Sequence, residues 1–94
     1  MKKIQTILEK SLNSVLKKNK LKVFNKVEFK LDLISNYDSL IIVELIIETE
    51  SNLEKEYGFY KTLANEKTFD FQKSPLRKWK TWNEYVKKLY AKNK

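Results

Sequence analysis

Hydrophobic positions along this chain change their spacing twice. Ile4, Ile7, Leu8, Leu12, Val15 and Leu16 fall on one arc of a helical wheel, while Lys3, Lys10, Asn13 and Lys17 fall on the other. That spacing predicts an amphipathic helix from about Lys3 to Lys18. From Leu21 the period becomes two: Leu21, Val23, Val27, Phe29, Leu31 and Leu33 alternate with Lys22, Lys26, Glu28, Lys30 and Asp32, and Asn25 alone interrupts the apolar side. A long, half-buried strand is the expectation. Ser35-Asn36-Tyr37-Asp38 is turn chemistry, and Leu40 to Glu50 reads as a second β-rich run with Ile41, Val43, Leu45 and Ile47 on one face.

Charge selects the register of the hairpin that these two runs would form. Paired residue numbers summing to 74 place Lys30 opposite Glu44 and Lys26 opposite Glu48, whereas a sum of 72 sets Glu28 against Glu44. The first register, with a loop from Ser35 to Ser39, is the one expected. Its second face carries Phe24, Ile34, Leu40, Ile42 and Ile46, too apolar for open solvent. Another segment of the chain, or a partner, is expected to cover it.

Farther on, Ser51-Asn52-Leu53-Glu54 fits a capping box, but the Tyr57-Gly58-Phe59-Tyr60 cluster suits a strand from about Tyr57 to Leu63. A turn at Ala64-Asn65-Glu66 would lead to a short strand around Thr68 to Phe71. Ser74-Pro75 supplies a cap and a first-turn proline for a last helix, and Thr81-Trp82-Asn83-Glu84 is a second start if that first turn stands apart. The expected fold is a single α+β domain over residues 1–94: an N-terminal helix, a long antiparallel β-hairpin extended by one or two shorter strands, and a C-terminal amphipathic helix packed on the sheet. Double-stranded RNA-binding domains share this order of elements, but the Lys-Lys-x-Ala-Lys start of their last helix is missing here, so the order assigns no family.

Composition bounds the chemistry. Ninety-four residues, 41% hydrophobic and 13% aromatic, suffice for one core burying roughly 60–65% of the unfolded surface. No run of about 18 apolar residues offers a membrane span, and Lys2 and Lys3 lead into a mixed polar sequence unlike a signal peptide. Without cysteine or histidine, disulfides, thiolate metal sites and the commonest general base are excluded, and a cytoplasmic setting is the default. Glu28-Phe29-Lys30 has the E-x-K form of some metal-dependent nucleases, yet no aspartate precedes it to complete a site. No phosphate-binding loop or nucleophile motif occurs. A non-enzymatic protein with no cofactor and no metal is expected.

The net charge of +8 is sorted by position: both ends are lysine-rich, and the stretch from Leu31 to Glu56 holds seven acids against Lys55. Lys17, Lys18, Lys20 and Lys22 cluster where the first helix ends, and Arg77, Lys80, Lys87, Lys88 and Lys92 line one half of the last helix, with Lys78 at its boundary. These two clusters could merge into one strip if both helices pack on one sheet. The other half of that helix is aromatic, through Trp79, Trp82, Tyr85 and Tyr90. A core this small needs those rings, which argues against docking them on a membrane.

Two functional readings follow. In the first, a small accessory protein binds nucleic acid or a nucleoprotein through Lys17, Lys18, Lys20, Lys22, Arg77, Lys78, Lys80, Lys87 and Lys88. In the second, an inhibitor or adaptor of the kind found among phage and mobile-element proteins binds a protein partner stoichiometrically, for example a nucleic-acid-binding protein. It would use Glu50, Glu54 and Glu56, or the apolar Ile34, Leu40, Ile42 and Ile46.

Overall fold

The computed structural model describes residues 3–64, Thr68 and 73–91. Among them are four helices, α1 (Ile4–Lys18), α2 (Leu33–Asn36), α3 (Ser39–Tyr57) and α4 (Trp79–Ala91), with a 3-10 turn over Pro75–Arg77 and no strand. The expected α+β class and its hairpin are therefore overturned: the domain is helical. The two terminal helices stand where the periodicity puts them. The expected turn at Ala64-Asn65-Glu66 and short strand at Thr68 to Phe71 lie outside the described residues except for Ala64 and Thr68.

α1 buries Ile7, Leu8, Leu12, Val15 and Leu16. It ends in a motif that turns the chain sharply: Lys20 N–H donates to Lys17 C=O (3.1 Å) and Leu21 N–H to Leu16 C=O (2.8 Å). Lys20 takes the left-handed conformation, φ 60°, that this motif requires and that glycine usually supplies.

The chain then runs back along α1 instead of entering a sheet. The Asn13 amide donates to Phe24 C=O (2.8 Å) and accepts from Phe24 N–H (2.9 Å), and the Glu9 carboxylate accepts from Val27 N–H (3.3 Å). Side chains of a helix thus meet backbone groups that a neighbouring strand would have met. Of the alternating apolar set, Val27 and Leu33 are buried and Leu31 half-buried, while Leu21, Val23 and Phe29 are exposed. The alternation is real, but no sheet face corresponds to it.

Leu40 to Glu50, expected as the second strand, lies within the nineteen residues of α3. Between Ile41 and Ile47 only Glu44 is not apolar, so the run satisfies period 2 and period 3.6 alike. Both ends suit a helix. The Asp38 carboxylate accepts from Ile41 N–H (3.0 Å) as an N-cap, and Gly58 at φ 80° closes the other end by donating to Glu54 C=O (2.8 Å). As a helix the segment buries Ile41, Ile42, Leu45, Ile46, Thr49 and Leu53 on one side, whereas a two-stranded hairpin would have left half of them in water. Ser51-Asn52-Leu53-Glu54 lies inside α3 and starts nothing, and Tyr57 to Leu63 is the end of α3 followed by irregular chain, not a strand. The pairs Lys30–Glu44 and Lys26–Glu48 do not form: Lys30 lies 4.0 Å from Glu28, and Glu44 accepts from the Asn19 amide (3.5 Å).

α3 packs antiparallel to α1. Asn52 near its C-terminal end donates to Ser11 (2.9 Å), while Glu44 near its start meets Asn19 just past the end of α1. α4 closes the core from the open side. Its N–H groups at Trp79 and Lys80 donate to Leu31 C=O (2.8 Å) and Phe29 C=O (2.9 Å), and its far end packs the Tyr90 ring at a tilt against Tyr57 and Phe59, each at 5.2 Å between ring centres. Ser74 caps the 3-10 turn through Leu76 N–H (3.1 Å), so the first turn does stand apart, and α4 begins at Trp79 rather than Thr81. Trp79 and Trp82 are wholly buried.

The two left-handed positions predict opposite outcomes in chemical denaturation. Lys20→Gly should stabilise the protein by about 1 kcal/mol, since a side chain other than glycine is strained at this φ. Gly58→Ala should destabilise it by a similar amount, on the order of 1 kcal/mol. Asn13→Ala, which removes two backbone contacts at once, should cost about 1–3 kcal/mol.

Candidate functional site

The acidic centre and the apolar patch come apart in three dimensions. Ile42 and Ile46 lie in the core and Ile34 is half-buried, so the expected four-residue patch reduces at the surface to Leu40, which is 68% exposed. A helix turns successive residues by about 100°, not 180°, and this rotates Ile42 and Ile46 inward while bringing Val43 and Ile47 outward. Leu40, Val43 and Ile47 are spaced by three and four residues, so they form one line along α3, with Ile47 60% exposed. The sequence signal for this line was present, but only under the helical period.

Carboxylates edge the line. Glu54 is exposed farther along α3. Glu44 and Glu48 are half-buried beside Ile47, where Ser14, Val15 and Lys18 of α1 complete a shallow groove. Ser39, the first residue of α3, is exposed next to Leu40 at the start of the same face. Glu56 is half-buried.

Glu50 does not belong to this surface. It is buried, and its carboxylate accepts from Leu63 N–H (2.6 Å) and the Tyr60 hydroxyl (3.0 Å). On the other side of Leu63, its C=O accepts from the Tyr85 hydroxyl (2.9 Å) and from Thr68 (2.9 Å). Glu50 therefore ties the chain after α3 to the core, and the expectation of a free carboxylate there is corrected. A buried acid is tolerable where its oxygens find donors, and here backbone and phenol provide them.

The basic residues separate into three places. Lys17, Lys18, Lys20 and Lys22 are exposed around the end of α1, and Lys26 and Lys30 continue from them along the returning segment. Lys78 and Lys80 are exposed at the start of α4, adjacent to that segment through the Phe29 and Leu31 carbonyls. Arg77 binds Asp32 at 3.2 Å, anchoring the turn before α4 to α2. Lys87 and Lys88 are exposed farther along α4, and Lys92 lies outside the described residues. The returning segment, not a sheet, connects the two basic clusters.

The aromatic half of α4 faces the core, so none of Trp79, Trp82 or Tyr90 is available to stack on a ligand. Trp79 Nε1, Trp82 Nε1, Asn83 Oδ1 and the Tyr90 hydroxyl find no hydrogen-bond partner among the described residues. Burial, reinforced by Glu50, Glu54 and the neighbouring phenols of Tyr57 and Tyr60, raises the Tyr90 pKa above its ordinary value. Burial also raises Tyr57, with Glu56 adding to the effect, and burial alone raises Tyr37. Among the described residues no group of three or more acidic side chains could hold a metal ion, and no helix is long and apolar enough to cross a membrane.

Comparison with family models, with curated proteins and with solved structures finds no match.

Raised phenol pKa values make stability fall at alkaline pH. The folded state holds these protons more tightly than the unfolded chain, so their contribution is complete below the ordinary tyrosine value of about 10 and is lost as pH rises through the folded values. Tyr90→Phe should flatten that alkaline loss in a pH series of denaturation curves. At neutral pH it should leave stability unchanged or raise it, because it deletes a buried hydroxyl that finds no partner among the described residues.

Proposed function

We propose that this protein is a non-enzymatic docking module, an adaptor or inhibitor that binds a protein partner stoichiometrically through the outer face of α3. The single observation that carries the reading is the exposed line Leu40, Val43 and Ile47 on a helix whose other side is fully committed to the core. Apolar side chains aligned at helical spacing are how a helix enters a groove on another protein. Scattered exposed leucines need no explanation, but three in register along one rigid helix form a surface.

The edges of the line define the partner. Glu44, Glu48 and Glu54 lie beside or beyond the apolar residues, so the matching surface is an apolar groove rimmed by lysine or arginine. Apolar contact supplies most of the affinity, and the carboxylates supply orientation and rate of encounter. Because the fold needs no disulfide, the cytoplasm is the setting proposed for this encounter.

The test begins with a photocrosslinking residue placed at Val43, and separately at Lys87 as a control, in the native cell. A partner trapped from position 43 and not from position 87 is then purified and its affinity measured by calorimetry. Ile47→Asp should weaken binding by about 30-fold or more, the scale of losing a buried anchor. Glu44→Lys with Glu48→Lys should slow association, and Lys87→Glu should change nothing. Equal trapping from both positions, or an affinity indifferent to Ile47→Asp, would overturn the reading.

A further inference from the structure

The opposite side of α1 carries a surface of different chemistry, independent of the α3 face. We infer that the segment from Lys20 to Lys30 is a binding track for single-stranded nucleic acid, with the Phe29 ring as the platform on which a base stacks.

Charge is the first support. Between Lys17 and Lys30 there are six lysines and one acid, Glu28. All six lysines are exposed, and they follow the chain from the end of α1 back to the start of α4, where Lys78 and Lys80 continue the positive surface. Of the nearby acids, Glu9 is engaged by Val27 N–H and Asp32 by Arg77, Glu28 lies 4.0 Å from Lys30, and Glu44 and Glu48 meet the surface only at Lys18, its α3 border. A row of exposed lysines following the irregular chain after α1 suits a phosphate backbone, because a flexible single strand can track it.

The second support is the placement of Phe29. It is 55% exposed, the most open of the phenylalanines among the described residues. Its backbone is nonetheless fixed: Leu31 N–H donates to Glu28 C=O (3.1 Å), and α4 holds the carbonyls of Phe29 and Leu31. The ring is thus presented to solvent from a backbone tied down by hydrogen bonds at Glu28, Phe29 and Leu31. Beside it opens a depression of about 430 Å³ lined by Gln5, Lys26, Val27, Glu28, Phe29 and Lys30, within the size range of small-ligand sites. An aromatic face flanked by Lys26 and Lys30 combines the two elements of sequence-tolerant single-strand binding, stacking and phosphate attraction.

The same features disfavour a duplex. Bases already stacked in a double helix leave Phe29 nothing to stack on. The arginine that would read a guanine edge, Arg77, is held by Asp32.

Both tryptophans are buried, so binding is best read from fluorescence anisotropy of labelled oligonucleotides of about 20 nucleotides, single-stranded DNA and RNA against the corresponding duplex, at about 50 and 200 mM salt. Saturable binding of at least one single strand, tighter than the duplex, is expected. Phe29→Ala should weaken it by roughly 5- to 150-fold while leaving the salt dependence unchanged. Lys22→Gln with Lys26→Gln should flatten the log–log salt slope by about 1.4, as expected when two phosphate contacts to a single strand are lost. These side chains are exposed, and circular dichroism will show that the variants keep the parent fold. Absence of saturable single-strand binding, equal or tighter duplex binding, or indifference to Phe29→Ala would each overturn the inference. Ile47→Asp should not affect this binding, so the failure of one surface is distinguishable from the failure of the other.

Discussion

Pairing of α3 with α1 is the contact from which the rest of the molecule follows. Ile41, Ile42, Leu45, Ile46 and Leu53 form one broad apolar side of α3, and Ile7, Leu8, Leu12 and Leu16 form the corresponding side of α1. Burying a leucine or isoleucine is worth about 1.5–3 kcal/mol, so this seam outweighs any single polar contact in the domain. Along another flank of α1 runs the segment around Phe24 and Val27, held by Asn13 and Glu9, and α2 follows it to meet α3 and the turn before α4. α4 then closes the core with Trp79, Trp82, Val86 and Tyr90.

Polar side chains do in this protein what strand pairing does in others. Asn13 and Glu9 receive the backbone of the returning segment, and Glu50 and Tyr85 receive that of the segment after α3. Each contact is worth only about 1 kcal/mol net, but an unmet buried backbone group costs more than that. The result is long irregular connections that are nonetheless held at defined points. α4 shows the opposite balance. Its indoles supply apolar area, and their N–H groups find no acceptor among the described residues, so burial is favoured there despite a polar penalty.

The separation of charge along the chain becomes a separation of faces. α3 carries the carboxylates beside exposed apolar residues, and the far flank of α1 carries lysines beside exposed Leu21, Val23 and Phe29. The two proposed surfaces are thus chemically opposite and lie on different flanks of α1, with Lys18 at the border between them. A domain of this size could bridge a protein and a polyanion without any movement of its own helices.

Local pattern alone determined both terminal helices, because each keeps a single apolar arc at the helical period along its length: α1 appears over Ile4–Lys18 and Ser74-Pro75 begins a capped turn ahead of α4. It also determined the sorting of charge and the absence of cysteine and histidine chemistry. The tertiary structure decided the middle. A near-continuous run such as Ile41 to Ile47 fits a strand or a helix equally well, and what favoured the helix was a distant surface, α1, wide enough to bury a helical face. The same pairing decided the surface, since turning Leu40 to Glu50 from a two-residue to a 3.6-residue period moved Ile42, Ile46 and Glu50 inside and left Val43 and Ile47 in water. The alternation from Leu21 to Leu33 was legible but led to no sheet, because Asn13 and Glu9 of α1 had already met the backbone groups that a second strand would have needed.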